Sequence, residues 1–234
     1  MKHSEITQKV RDILNEHGGD NALSITTDRV LLDEYIECAI PDAVIILAQR
    51  GFRVNPKTQE IRNPETQETG NPETQNTGNA VVGEQGNDIK LPGDFVSLIY
   101  VKLGQWKRKV TRVTEVGSPE YNMAMNVYTA PGVNTPMCYK EGDTLICLPD
   151  KPVKSNDTPT VEGNDTSAAE SVDTFIMEYN AEYKKPENDN TVALTASPKE
   201  AAAVCYMTAA LVMGMFGDDQ GKQRLSDIST NMLQ

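Results

Sequence analysis

Apolar positions along this chain fall into four blocks, 6–14, 30–52, 91–148 and 201–216, with polar stretches between them. In the first, Ile6, Val10, Ile13 and Leu14 recur at the spacing of one helical face. That spacing predicts a helix over 4–16, capped by Ser4 and stopped at Gly18. The second block predicts a longer helix from Thr27-Asp28 to Gly51. Beyond Ile40 it is apolar on most of its circumference, as for a helix buried between others or between subunits. Pro41 removes one ladder hydrogen bond, so a kink or a division in two is expected there.

The third block opens on a turn, Leu91-Pro92-Gly93-Asp94. In Phe95 to Leu103 only Ser97 and Lys102 are polar, which predicts a strand covered on both faces. After Gly104 comes the single tryptophan, Trp106, followed by Lys107, Arg108 and Lys109; a second β-prone run, Val110 to Val116, stops at Gly117. The two runs predict a β-hairpin that presents one aromatic and a basic cluster. Ser118 as cap and Pro119 at the first helical position start a short helix. Its expected face is Tyr121, Ala124, Met125 and Tyr128, and Ala130-Pro131-Gly132 ends it. Met137–Tyr139 and Thr144–Leu148 predict another hairpin, turning at Glu141-Gly142-Asp143. Val172 to Tyr179 predicts a last strand, and Glu182 to Asn190 a charged loop.

The clearest helix start is Ser197-Pro198-Lys199-Glu200, a capping box with proline at the first helical position. The helix runs over 201–216 and closes at Gly217; its many alanines let another helix approach. A final amphipathic helix covers 222–232, with Leu225, Ile228 and Met232 on one side.

Two stretches have too few apolar residues to offset their ordering entropy, 55–90 and 150–171. The first contains a tandem duplication, NPETQETG at 63–70 and NPETQNTG at 71–78. Two units are too few for a solenoid, so an extended loop or arm is expected. The fold class is therefore α+β: a helical bundle from the N- and C-terminal helices, with an inserted antiparallel β-rich block and long polar loops. The expected organisation is 1–54 (N-terminal helices), 55–90 (arm), 91–196 (β-rich insertion) and 197–234 (C-terminal helices).

Charge narrows the function classes. The 234 residues carry a net charge of −12 and a pI near 4.7, which argues against a general nucleic-acid binder. An anionic partner would have to meet Lys102, Lys107, Arg108, Lys109 and Arg112. Charge runs of this kind read first as a solvated strand face or as partners for acids of a neighbouring subunit. No run approaches the roughly 18 apolar residues of a membrane span, so no membrane partner is expected. The start, Met1-Lys2-His3-Ser4, lacks the apolar core of a secretion signal. Cys38, Cys138, Cys147 and Cys205 form no C-x-x-C pair and lie in apolar surroundings. They are expected as buried free thiols in a reducing compartment, a Cys138–Cys147 disulfide being the less favoured alternative.

Chemistry is sparse. The two histidines, His3 and His17, flank the first helix, and no serine, cysteine or aspartate pattern completes a triad. Metal-ligand spacing and phosphate-binding glycine motifs are absent. The expectation is a protein without catalytic residues, metal or cofactor. The candidate interface residues are Trp106, Lys107, Arg108, Lys109 and Tyr121.

The order of Leu91-Pro92-x-Asp94-Phe95, Trp106-Lys107-Arg108-x-Val110 and Ser118-Pro119-x-Tyr121 resembles the head-to-tail adaptor (connector, or ring) proteins of short-tailed phages. It is most similar to the ring proteins of crAss-like phages. The resemblance covers roughly 27–54, 91–149 and 197–232; the long 55–90 and 150–171 stretches depart from the compact adaptor pattern and leave the ring position open. It implies a structural virion protein at the head-tail junction, made in the host bacterial cytoplasm. Its implied partners are copies of itself in a ring, usually twelvefold, the portal protein above, and adjacent ring or tail proteins, with DNA passing only in transit through the lumen. The alternative of another class is a monomeric tail or surface-binding module whose β block holds a glycan or peptide, which would need an aromatic-lined groove.

Overall fold

The computed structural model describes residues 1–17, 29–62, 81–82, 88–149, 174–188 and 191–234. The tandem duplication, the 150–171 stretch and the expected caps at Gly18 and Thr27-Asp28 lie outside the described residues. The chain is α+β, with helices at both ends and two sheets between them. It divides into two compact units. One is helical, Met1–Lys57 with Tyr179–Gln234; the other is β-rich, Thr58–Glu178.

In the helical unit, α1 (His3–His17) and α2 (Arg29–Gln49) pack on α4 (Pro198–Met215), which α5 (Asp219–Leu233) also covers. The centre is α4, and its sequence explains why. Alanines at 201, 203, 209 and 210 are buried, so neighbours come close on several sides, while Val204, Met207, Val212 and Met213 fill the space between them. The capping box forms as the sequence predicts: Glu200 N donates to Ser197 Oγ at 3.3 Å and Ser197 N donates to Glu200 Oε2 at 2.7 Å. From α2 come Ile36, Ile40, Val44 and Leu47, all fully buried. Pro41 does not divide this helix, which runs unbroken from Arg29 to Gln49. One lost ladder bond is a smaller effect than the burial of four large aliphatic side chains across that point. Arg11 on α1 pairs with both carboxylate oxygens of Asp33 on α2.

The β-rich unit holds a five-stranded sheet and most of a three-stranded one. The five-stranded sheet has the order β2 (Val81–Val82), β3 (Asp88–Lys90), β7 (Thr144–Leu148), β6 (Met137–Glu141), β5 (Val113–Thr114). All its pairs are antiparallel except β5 with β6. The β6–β7 hairpin is the one expected, with Glu141 opposite Thr144 and Gly142 at φ 59° in the turn. The three-stranded sheet has the order β1 (Pro56–Arg62), β8 (Thr174–Ala181), β4 (Phe95–Leu103).

Three expectations are corrected here. Residues 95–103 and 110–116 do not form a hairpin: β4 takes its ladder from β8, Val113-Thr114 joins the other sheet, and only Val101 and Val110 bridge the two runs. The first six residues of β4 are half-buried, not covered on both faces; only Val101 and Leu103 are fully buried there. The 55–90 stretch is not wholly an arm, because its ends supply β1, β2 and β3. Its apolar residues Ile61 and Ile89 are both buried, and strand pairing needs no more from segments whose neighbours bring the core.

Candidate functional site

Each of the five candidate residues has a definite place. The turn at 91–94 closes through Phe95 N donating to Pro92 O at 3.0 Å and hands the chain to β4. At its far end Trp106 N donates to Leu103 O at 2.9 Å, which folds the indole back inside. Trp106 is 2% exposed and meets Phe175 of β8 edge to face, at 6.1 Å and 84°. It is a core residue of the β-rich unit. Its Nε1 is buried with no hydrogen-bond partner.

The next three residues turn outward. Lys107 N is held by Val133 O at 2.9 Å, and the side chains of Lys107, Arg108 and Lys109 are exposed. Lys109 Nζ lies 4.7 Å from the ring centre of Tyr100, a cation–π contact that leaves its charge at the surface. Tyr121 belongs to a different neighbourhood. Ser118 caps α3 (Pro119–Ala124) by accepting from Tyr121 N at 3.2 Å, and the Tyr121 ring stands edge-on to Tyr139 of β6 at 5.1 Å. The structure therefore does not gather the five into one site. It makes one of them core, displays three as a basic patch, and sets the fifth beside the outer face of the five-stranded sheet.

The short helix ends earlier than expected. Only Ala124 of the predicted face is buried, and Met123, Met125, Val127 and Tyr128 are exposed. The 123–128 segment is thus an exposed apolar stretch in which Val127 is 88% and Tyr128 95% exposed, and Val116 is exposed as well. A second apolar patch lies on the helical unit. Leu31 and Tyr35, one turn apart on α2, are exposed, Tyr35 meets Phe216 edge to face at 5.1 Å, and neighbouring Met215 is also exposed. The spacing of Leu31 and Tyr35 was visible in the sequence; that α4 would leave them uncovered was not.

One concavity stands out on the five-stranded sheet. It encloses about 460 Å³ and is lined by Tyr139, Ile146, Leu148, Asp88 and Met125 among others. The register explains the lining: Asp88 lies opposite Ile146, Ile146 opposite Tyr139, and Leu148 opposite Met137, so their side chains share one face. Asp88 Oδ1 is buried without a hydrogen-bond partner. Burial, then the nearby Tyr121 and Glu141, raise the Tyr139 pKa and keep the phenol neutral. Asp88 and Tyr139 were not singled out by the sequence, since nothing local marks two residues as neighbours across a sheet.

A titratable cluster lies in the helical unit. His3 Nδ1 lies 2.7 Å from Tyr183 Oη, His3 Nε2 lies 3.4 Å from Glu37 Oε1, and Lys185 Nζ donates to Glu37 Oε1 at 2.7 Å. Lys185, and to a smaller extent His3, hold the Glu37 carboxyl below its usual pKa against the opposing effect of burial. Burial and Glu37 push the Tyr183 phenol up to about 12. The group pins the loop after β8 to α1 and α2. Among the described residues no group of three His, Cys, Asp or Glu side chains could hold a metal ion, and no helix is long and apolar enough to cross a membrane. The cysteines need one correction: Cys38 is exposed, whereas Cys138, Cys147 and Cys205 are buried free thiols.

No known protein family matches the chain, and no curated protein matches it significantly.

Proposed function

We propose that this protein is a structural, non-catalytic virion component that assembles head to tail into a ring below the portal, joining capsid to tail and extending the DNA channel. The observation that carries the reading is that each compact unit displays its own exposed apolar patch: Leu31, Tyr35 and Met215 on one, Val116, Met123, Val127 and Tyr128 on the other. A heterologous ring requires two different surfaces per subunit, and exposed apolar patches mark places where another molecule sits. The interior faces of α2 and α4 do not supply that interface, because they are covered within the chain. The exposed Lys107-Arg108-Lys109 patch suits contact with acids of a neighbour in so acidic a protein. A negative channel wall would also keep DNA from adhering during passage. The motif order in 91–121 supports the same class through its resemblance to phage adaptors.

The test is assembly, measured by mass photometry of the chain alone and mixed with portal protein. Rings are expected, twelvefold where the portal is, and Val127→Ser with Tyr128→Ser should reduce ring formation at least tenfold while leaving the circular dichroism spectrum unchanged. Failure of the unaltered chain to associate with portal or any tail component would sink the reading. Trp106→Ala is a poor probe, since truncating a buried tryptophan costs about 3–5 kcal/mol of fold stability.

The concavity lined by Tyr139 and Asp88 favours a second reading, a monomeric module holding a glycan or peptide there. An aromatic ring beside a carboxylate acceptor is chemistry suited to a sugar face and its hydroxyls. Loss of ligand binding on Asp88→Asn, with no assembly in any mixture, would favour it over the ring.

A further inference from the structure

All four cysteines were expected as buried free thiols, with a Cys138–Cys147 disulfide as the less favoured alternative; three are buried, and two of these are placed against each other. Cys138 on β6 lies directly opposite Cys147 on β7, and their Sγ atoms are 3.1 Å apart. The register fixes which kind of opposition this is. Glu141 and Thr144 flank the two-residue turn, and pairs alternate from there between those that exchange backbone hydrogen bonds and those that do not. Counting back, Tyr139–Ile146 exchanges bonds and Cys138–Cys147 does not. The third strand agrees: Leu91 N donates to Asp143 O, so on that side of β7 the odd-numbered backbone groups, Cys147 among them, face β3 and not β6.

This matters because non-bonded pairs bring their Cα atoms to about 4.5 Å with side chains close together. That separation falls inside the range of about 4.4–6.8 Å that a disulfide spans. Both cysteines point to the same buried side of the sheet as Ile89 and Leu145, and all four are fully buried. The other two thiols have no such neighbour: Cys38 is exposed on α2 and Cys205 is buried in α4.

We propose that Cys138 and Cys147 form an oxidisable dithiol that closes to an intrachain disulfide on exposure to peroxide, locking the β6–β7 hairpin covalently. One thiolate attacks an oxygen of hydrogen peroxide; the O–O bond breaks, a water leaves and the sulfur becomes a sulfenic acid. The second sulfur displaces the sulfenic hydroxyl, which leaves with the second thiol proton as another water, and the S–S bond forms. Two hydrogens and two electrons pass from the thiols to the peroxide, and the order of attack does not alter the product. Peroxide is small enough to reach a buried pair through local opening. The pair lies one residue inside the open end of its hairpin, which Met137 and Leu148 close, and local opening begins from such strand ends. Burial, together with the adjacent Cys138, pushes the Cys147 thiol well up, so reaction follows opening and is slow in the closed state. The inference does not depend on the ring reading.

The experiment uses the full chain carrying Cys38→Ser, a surface change that removes intermolecular linkage. The chain is treated with dilute hydrogen peroxide, unfolded in excess alkylating agent without reductant, and measured by intact mass and peptide mapping. Expected is a loss of about 2 Da, a single linked peptide pair containing Cys138 and Cys147, alkylation of Cys205 alone, and full reversal by dithiothreitol. Recovery of both Cys138 and Cys147 as alkylated thiols overturns the proposal, as does their separate conversion to sulfinic acid or a linkage from either to Cys205. Cys147→Ser should abolish the 2 Da loss and leave Cys138 alkylatable. The mapped linkage in the chain that keeps both cysteines decides the matter even if that variant does not fold.

Discussion

At the scale of single residues, the acid behaviour of Glu37 is a direct consequence of its neighbours. Its folded pKa lies below the ordinary value of 4.5 because Lys185 and His3 stabilise the carboxylate. A depressed carboxyl pKa contributes stability above the unfolded value, and that contribution is lost as pH falls through the folded one. Glu37→Gln should therefore lower the melting temperature at pH 7, and the gap from the unaltered chain should close as pH falls through and below the ordinary carboxyl value of 4.5. A thermal-melt series across that value reads it; a gap constant with pH would show that Glu37 acts by packing alone. The pair is partly exposed, so the effect is small beside those in the core. Trp106 shows the opposite lesson. The sequence left it as an anchor either in the core of the β block or against a neighbouring subunit, and the structure puts the indole on Phe175 in the interior.

At the scale of elements, α4 and α5 are held together at their junction and along their length. Asp218 caps α5 by accepting from Gly221 N at 2.8 Å, and Ser229 of α5 donates to Ala203 O of α4 at 2.7 Å, fully buried. Two glycines there should respond differently to alanine. A Cβ at Gly221 would stand 2.6 Å from both Asp218 Oδ2 and Met213 Cε, breaking the cap and pushing into the core. A Cβ at Gly214 would meet only the flexible chain of Lys222, at 2.8 Å. Gly221→Ala should cost about 1–3 kcal/mol. Gly214→Ala, in a helix interior, should be neutral or gain up to about 1 kcal/mol. Urea unfolding of both variants checks this, and equal effects would contradict the packing described. The capping box of α4 could be read from four adjacent letters. Ser229 could not, because its partner lies 26 positions away.

At the scale of the whole molecule, the chain leaves the helical unit near Lys57 and returns near Tyr179. Two asparagines hold that exit and return together. Asn180 Oδ1 accepts from Val54 N at 3.0 Å and Asn55 N at 3.3 Å, while its Nδ2 donates to Phe52 O at 2.8 Å. Asn55 reciprocates, its Nδ2 donating to Ala181 O at 3.0 Å and its Oδ1 accepting from Thr195 N at 3.3 Å. Removing one buried side chain that serves three backbone groups leaves them unsatisfied, so Asn180→Ala should cost about 2–4 kcal/mol. Denaturant unfolding monitored by helical circular dichroism measures it. A loss under about 1 kcal/mol would mean that water replaces the amide.

The sequence by itself determined the α+β class, the helices at both ends, the capped start of α4, the short helix after Ser118 and the β6–β7 hairpin. Each of these is written in local signals: a period of 3.6, a cap three residues from its partner, a two-residue turn. Only the tertiary structure decided where residues 95–116 go, because two β-prone runs in succession do not say whether they pair with each other or, as here, with two different strands further along the chain. It decided that Pro41 leaves its helix undivided, that Asn55 and Asn180 meet, and that Cys138 faces Cys147. It also decided which apolar residues remain outside. Exposure is a property of what the rest of the chain covers, and no window of sequence contains that sum.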